Sequence, residues 1–132
     1  LALVHNLGPL NAAATVFTTN RCLANPVLWS QEVIKDGQVS AIVLNSGGAN
    51  CYTGAEGFQT THATAELVAE RLGVGAIDVQ VCSTGLIGLV NDRDDLLGGV
   101  ARATIAHGRA RIEAAPLPDA QKQTQLAALD AG

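Results

Sequence analysis

The sequence contains no methionine, few aromatic residues and very little positive charge over its first two-thirds. Each scarcity excludes something. With aromatics at 3%, including one Trp and one Tyr, the core must be built from Val, Ile, Leu and Ala. Arg21, Lys35 and Arg71 are the only cations before the last third, and the net charge is −4. A nucleic-acid partner would need a phosphate-neutralising cluster, and there is none. No apolar run approaches the roughly 18 residues of a membrane span, and the first residues lack the pattern of a secretory signal. Cys22, Cys51 and Cys82 are odd in number and widely spaced, against a disulfide framework and against a CxxC zinc or redox site. Reduced thiols in a cytoplasmic protein are the simplest reading. The missing methionine, with Leu1 opening directly into Leu-Ala-Leu-Val, points to a processed chain, a cloned piece or a truncated gene product.

What is present is globular material. Hydrophobic residues make up 48% and charged residues 15%, over 132 residues that suffice for one domain with a real core. Leu1 to Val4 and Ala12 to Phe17 read as short strands separated by a Gly8-Pro9 turn, and Pro26 to Trp29 as a further strand. Ser30 offers an N-cap for a turn of helix that Asp36-Gly37 ends. Val39 to Leu44 is the clearest strand, a continuous apolar run of the kind buried on both faces.

That strand enters a loop, Asn45-Ser-Gly-Gly-Ala-Asn50, whose residues tolerate unusual backbone angles. A helix follows, with Thr53 and Glu56 at capping-box spacing and Gly73 where a C′ glycine belongs. Its predicted inward stripe is Phe58, His62, Ala65, Ala69 and Leu72. Val79 to Cys82 forms another strand, ending in Ser83-Thr84-Gly85. A second helix starts near Asp92 or Asp94, where acidic side chains suit the dipole, and runs through Ile105 despite Gly98 and Gly99. This division gives an α/β domain over 1–106 and a divergent tail, 107–132, poorly ordered or weakly helical.

The chemistry-bearing candidates are few. Where a strand ends in a Gly-containing turn, as at Thr84 and Gly85, backbone N–H groups and a hydroxyl can converge on a developing oxyanion. A single such donor contributes about 3 kcal/mol in acyl transfer. On spacing alone an ordinary strand-end turn accounts for the same residues. Asn45 to Asn50 joins a strand to a helix N-terminus but matches neither GxGxxG nor GxxxxGK[ST], so close strand–helix packing is the better reading. Cys82 or Ser83 served by His5, His62 or His107 would be a nucleophile pair, yet nothing resembles a GxSxG elbow. Cys82 continues an apolar strand and is expected to be buried. The histidines lack metal-ligand spacing.

Taken together, Val43-Leu-Asn-Ser-Gly-Gly-Ala-Asn50, Thr53-Gly54, His62-Ala63 and Val81-Cys-Ser-Thr-Gly-Leu-Ile-Gly88 resemble the ornithine acetyltransferase family, also called glutamate N-acetyltransferases, of arginine biosynthesis. The likeness covers about residues 1–100. It implies an α/β sandwich-like fold of self-processing, N-terminal-nucleophile type, of which this would be the α-chain portion. A β chain beginning with a new N-terminal Thr would supply the nucleophile, in an α2β2 assembly. That Thr would move the acetyl group from N-acetylornithine to glutamate, its own α-amine (free pKa about 8) serving as base. By matching position Thr84 and Gly85 would form the oxyanion hole. No metal or organic cofactor is implied, with acetyl-CoA an alternative acetyl donor in some members.

The departures begin after Gly88. The family usually continues with Leu-Pro-Met-Asp, whereas this chain reads Leu89-Val-Asn-Asp-Arg-Asp-Asp95 before Leu96-Leu-Gly-Gly-Val100 restores the spacing. The substrate and cleavage motifs of the family are not found beyond it. Two other readings stand beside the enzyme subunit: a truncated, non-catalytic remnant serving as a binding or interaction domain, and a nucleotide-binding module resting only on Asn45–Asn50.

Overall fold

A computed structural model describes all 132 residues, Leu1–Gly132. A mixed three-stranded sheet is ordered β1-β2-β3, with β1 Ala2–His5, β2 Ala41–Gly48 and β3 Val79–Leu86. β1 pairs antiparallel to β2, and β2 pairs parallel to β3. The parallel pair is joined by α2, Gly54–Leu72, the crossover that such a pair requires. The remaining helices are α1, Asn25–Val33, α3, Arg93–Ala114, and α4, Asp119–Ala131. This is the α/β class that the sequence implies, with the chain contributing one sheet and helices packed on it. No helix is long and apolar enough to cross a membrane.

The core lies between one face of the sheet and α2 with α3. Ala41 and Val43 of β2, Val79 and Val81 of β3, Ala65, Val68 and Ala69 of α2, and Val100 of α3 form a single buried cluster. These residues sit two apart on the strands, and three or four apart on α2, so each element turns one face to the others. Burial of each Val contributes roughly 1.5–3 kcal/mol. The scarcity of aromatics is met by close packing of small side chains, and Thr60, Thr61 and Thr64 complete the buried face of α2. Thr61 and Thr64 return their hydroxyls to the Gly57 and Thr60 carbonyls, which makes their burial affordable.

Several elements differ from the sequence expectation. Pro26 to Trp29 is helical, because Pro26 occupies the first turn of α1, where its missing N–H costs nothing. Ser30 is then inside α1 and not its cap; its hydroxyl bonds the Val81 carbonyl at 3.2 Å. Ala12 to Phe17 forms no strand, only a bridge between Ala12 and Gln38. The stripe of α2 is rotated: Phe58 and His62 lie outside the core and meet Trp29, at ring separations of 6.5 and 4.9 Å. Thr53 makes no side-chain cap; its hydroxyl donates to Asn50 Oδ1. α3 crosses position 106 without a break, and α4 packs against it.

Candidate functional site

β3 is an edge strand, and α1 covers only part of its edge. Trp29 Nε1 donates to the Val79 carbonyl at 2.9 Å, and the Ser30 hydroxyl donates to the Val81 carbonyl and accepts from the Val81 N–H. Strand backbones alternate, so the odd-numbered residues of β3 present both polar groups to this edge. On the other side, Ser40 N–H donates to the Asp78 carbonyl, which sets the same phase for the β2–β3 ladder. Carried to the strand end, that phase turns the amides of Cys82 and Thr84 toward β2. The same alternation turns the N–H groups of Ser83 and Gly85 outward, past the end of α1, and neither meets a side-chain or loop acceptor.

The side chains divide by the same parity. Ser83 shares the core face with its register partner Asn45, and its hydroxyl donates to Asn45 Oδ1 at 2.6 Å. Thr84 projects from the opposite face, where Val4, Leu44 and Cys82 are also exposed. Thr84 and Gly85 are therefore open to solvent and adjacent. A depression of about 220 Å³ extends along β3 as far as Ser83, without reaching Thr84 or Gly85, lined on its apolar side by Val16, Phe17, Val27 and Cys82.

The ends of β2 and β3 meet by contacts that only glycine permits, so the Ser83-Thr84-Gly85 turn expected after Cys82 is strand instead. Gly47 and Gly85 face each other in register at φ 123° and 130°, and a side-chain carbon on Gly85 would collide with the Gly47 carbonyl. Asn91 then clamps the end of β2: its Oδ1 accepts from Gly48 N–H at 2.8 Å and its Nδ2 donates to the Gly48 carbonyl at 3.1 Å. Ala49 N–H to Leu86 O and Gly88 N–H to Cys51 O close the corner, each at 2.9 Å.

The loop read as Gly-rich packing does that work. Asn45 to Gly48 extends β2, and Asn50, at φ 54°, becomes a buried polar hub. Its Nδ2 donates to the Gly57 carbonyl and to Thr61 Oγ1, both at 2.8 Å, and its carbonyl accepts from Asn25 N–H at 3.0 Å. Asn25, Asn50 and Asn91 were not singled out from the sequence. Asn50 entered only as the end of the Gly-rich loop, and Asn25 and Asn91, flanked by Ala24 and Pro26 and by Val90 and Asp92, carry no local signal of these roles.

The nucleophile candidates are not brought together. His62 lies against Trp29 and Glu66, and His5 Nδ1 meets His107 Nε2 at 2.9 Å, so no histidine bonds Ser83 or Cys82. Cys82 is exposed, not buried as its strand position led one to expect, because its side chain leaves the face opposite α2. Partial desolvation beside the apolar depression still holds its thiol above the usual range, which keeps it protonated and a poor nucleophile near neutral pH. No three His, Cys, Asp or Glu side chains converge as a metal-binding group.

A family model described as the ArgJ family matches residues 1–128, well past Val100 where the motif likeness fades. The arginine biosynthesis bifunctional protein ArgJ of Streptomyces coelicolor is 62% identical over 103 residues, 78% of this chain and 27% of that protein. Its counterpart in Mycobacterium tuberculosis strain H37Rv is 58% identical over 106 residues, 76% of this chain and 26% of that protein. The chain thus spans about a quarter of the length of these relatives. Among solved structures, ornithine acetyltransferase from M. tuberculosis, complexed with ornithine, superposes with a TM-score of 0.76 at 55% identity, over 77% of this chain and 55% of that one. The bifunctional protein ArgJ of Bacillus halodurans does so with a TM-score of 0.70 at 31% identity, over 74% and 51%.

Proposed function

The chain belongs to the ArgJ family, and from that premise we propose that it supplies the oxyanion-binding half of an acetyltransferase site in arginine biosynthesis. The donors are the Thr84 hydroxyl and the Gly85 N–H; the Thr84 amide is turned into the ladder with β2. The observation that carries this reading is the exposed Thr84 beside Gly85, whose N–H the strand alternation turns outward, at a strand end where Gly47 and Gly85 meet too closely for any side chain. Donors fixed in advance toward a developing charge need no reorganisation during reaction, which is why they are effective.

The rest of the reaction falls to a second chain. An N-terminal Thr on a β chain attacks the acetyl carbon of N-acetylornithine, its α-amine taking the hydroxyl proton. The oxyanion of the tetrahedral intermediate sits on Thr84 and Gly85. The protonated α-amine gives its proton to the departing nitrogen, so the C–N bond breaks and ornithine leaves. Glutamate's amine then attacks the acetyl ester, its proton passing through the α-amine to the Thr oxygen as that leaves. An α2β2 assembly in the cytoplasm, needing no metal or organic cofactor, fits this scheme, with acetyl-CoA as a second acetyl donor. The relative solved with ornithine supports the substrate class.

Native mass spectrometry of the purified protein, with an acetyl-transfer assay from N-acetylornithine to glutamate, tests the scheme. A companion chain beginning with Thr, and turnover only when it is present, are expected. A lone 13.5 kDa chain without turnover in its native host would instead favour the non-catalytic remnant.

A further inference from the structure

A second cleft lies on the opposite face of the same strand end. It is an open cleft of about 300 Å³ between the end of β2 and the first turns of α3, with Leu1, Asn45, Asn91, Asp92, Asp95 and Arg102 on its walls. Its charges are unspent. None of Asp92, Asp95 and Arg102 lies within 4.0 Å of an opposite charge, although the three surround one small space. Asp92 gives one carboxylate oxygen to the Asp95 N–H as the N-cap of α3, which leaves the other oxygen free. Arg102 folds back along α3, its guanidinium 3.4 Å from where a side chain on Gly98 would begin. The glycines that weaken this helix thus make room for it.

Asn45 supplies the independent observation. It is only 7% exposed, and its Oδ1 is taken by the Ser83 hydroxyl. Its Nδ2 donates to no protein acceptor, yet no side-chain polar atom in the structure is both sealed and unpaired. The amide N–H groups of a nearly buried Asn therefore open onto the cleft. That donor, already fixed by the Asn45–Ser83 bond, is available to a ligand oxygen in the cleft.

We propose that this cleft binds a free α-amino acid, its carboxylate received by Arg102 and the Asn45 amide and its ammonium by Asp92 and Asp95. An amide donor, a cation and two carboxylates line one small space, partners for both charged ends of a zwitterion. The cleft is separate from Thr84, which faces away from it, but the Asn45–Ser83 hydrogen bond joins the two across one strand. Occupancy is positioned to bias the Thr84–Gly85 strand end.

The 132-residue chain, labelled with ¹⁵N and titrated with L-glutamate, reports this directly. The Asn45 side-chain amide and Arg102 signals are expected to shift with saturation. N-acetyl-L-glutamate, which lacks the ammonium, is expected to bind about tenfold or more weakly, and Arg102→Gln and Asp95→Asn each to weaken L-glutamate binding similarly. Arg102 and Asp95 are exposed, so both variants fold and their spectra verify it. Absence of shifts, equal binding of the acetylated compound, or binding undiminished in both variants would overturn the proposal. The titration needs no second chain and no turnover, so its failure leaves the acetyl-transfer reading standing.

Discussion

The carbonyl of Gly47 occupies the space that any side chain on Gly85 would need. The two residues are register partners at the end of the parallel ladder, both at positive φ, and their approach sets the position of the Gly85 N–H. Gly85→Ala is therefore expected to lower the unfolding free energy in urea by about 1–3 kcal/mol through backbone strain. It should also abolish acetyl transfer in the assembled enzyme. Wild-type stability and turnover in this variant would show that the close approach is dispensable.

Thr84 acts differently, because its side chain is exposed and packs on nothing in the core. Thr84→Val should leave the urea midpoint of the chain unchanged. In the assembled enzyme it is expected to reduce kcat about 10²–10³-fold with little change in KM, as for loss of one oxyanion donor. Thr84→Ser, which keeps the hydroxyl, should retain most activity. Equal losses in both variants would place the effect elsewhere.

Asn50 combines a left-handed backbone with two donated hydrogen bonds in the core. Asn50→Ala leaves the Gly57 carbonyl and Thr61 hydroxyl short of a donor and should cost about 1–3 kcal/mol in urea unfolding. Asn50→Gly loses the same bonds but not the backbone fit, so it should recover part of that cost. A Gly variant less stable than the Ala variant would contradict this division.

Acid should loosen the contact between β1 and α3. His5 has its pKa lowered from 6.5, first by burial, then by the neighbouring His107 and Arg111. A lowered folded-state pKa means that folding favours the neutral ring. Its contribution is fully present above pH 6.5 and is lost as pH falls through the lower folded value. The urea midpoint should decline below that pH, and His5→Gln should flatten the decline. An unchanged slope in the variant would assign the acid sensitivity to other groups.

Ser83-Thr84-Gly85 at the end of an apolar run implied a turn after Cys82. The structure instead carries β3 through them to Leu86, paired with Asn45 to Gly48, so that Thr84 and Gly85 are exposed near the strand's tip and not in a turn. The hub around Asn50 was not legible, because Asn25 reaches it from 25 residues away and Thr53, Gly57 and Thr61 converge on it only once α2 has turned back over the loop. The strand assignment of Pro26 to Trp29 failed for a related reason. Val, Leu and Trp suit a strand locally, but Pro26 can start a helix, and Trp29 and Ser30 find their partners on the edge of β3.

The sequence by itself determined the elements whose causes are local. The apolar runs of Val39–Leu44 and Val79–Cys82, and the end of α2 at Gly73, follow from propensity, periodicity and one left-handed glycine. Tertiary structure alone decided that Asn45 to Gly48 extends a strand, which face Thr84 leaves by, and which amides of β3 stay free. Those outcomes depend on the register between strands whose paired residues, such as Asn45 and Ser83, stand 38 positions apart. A shift of one residue in that pairing would exchange every inward and outward group, and no local preference encodes it.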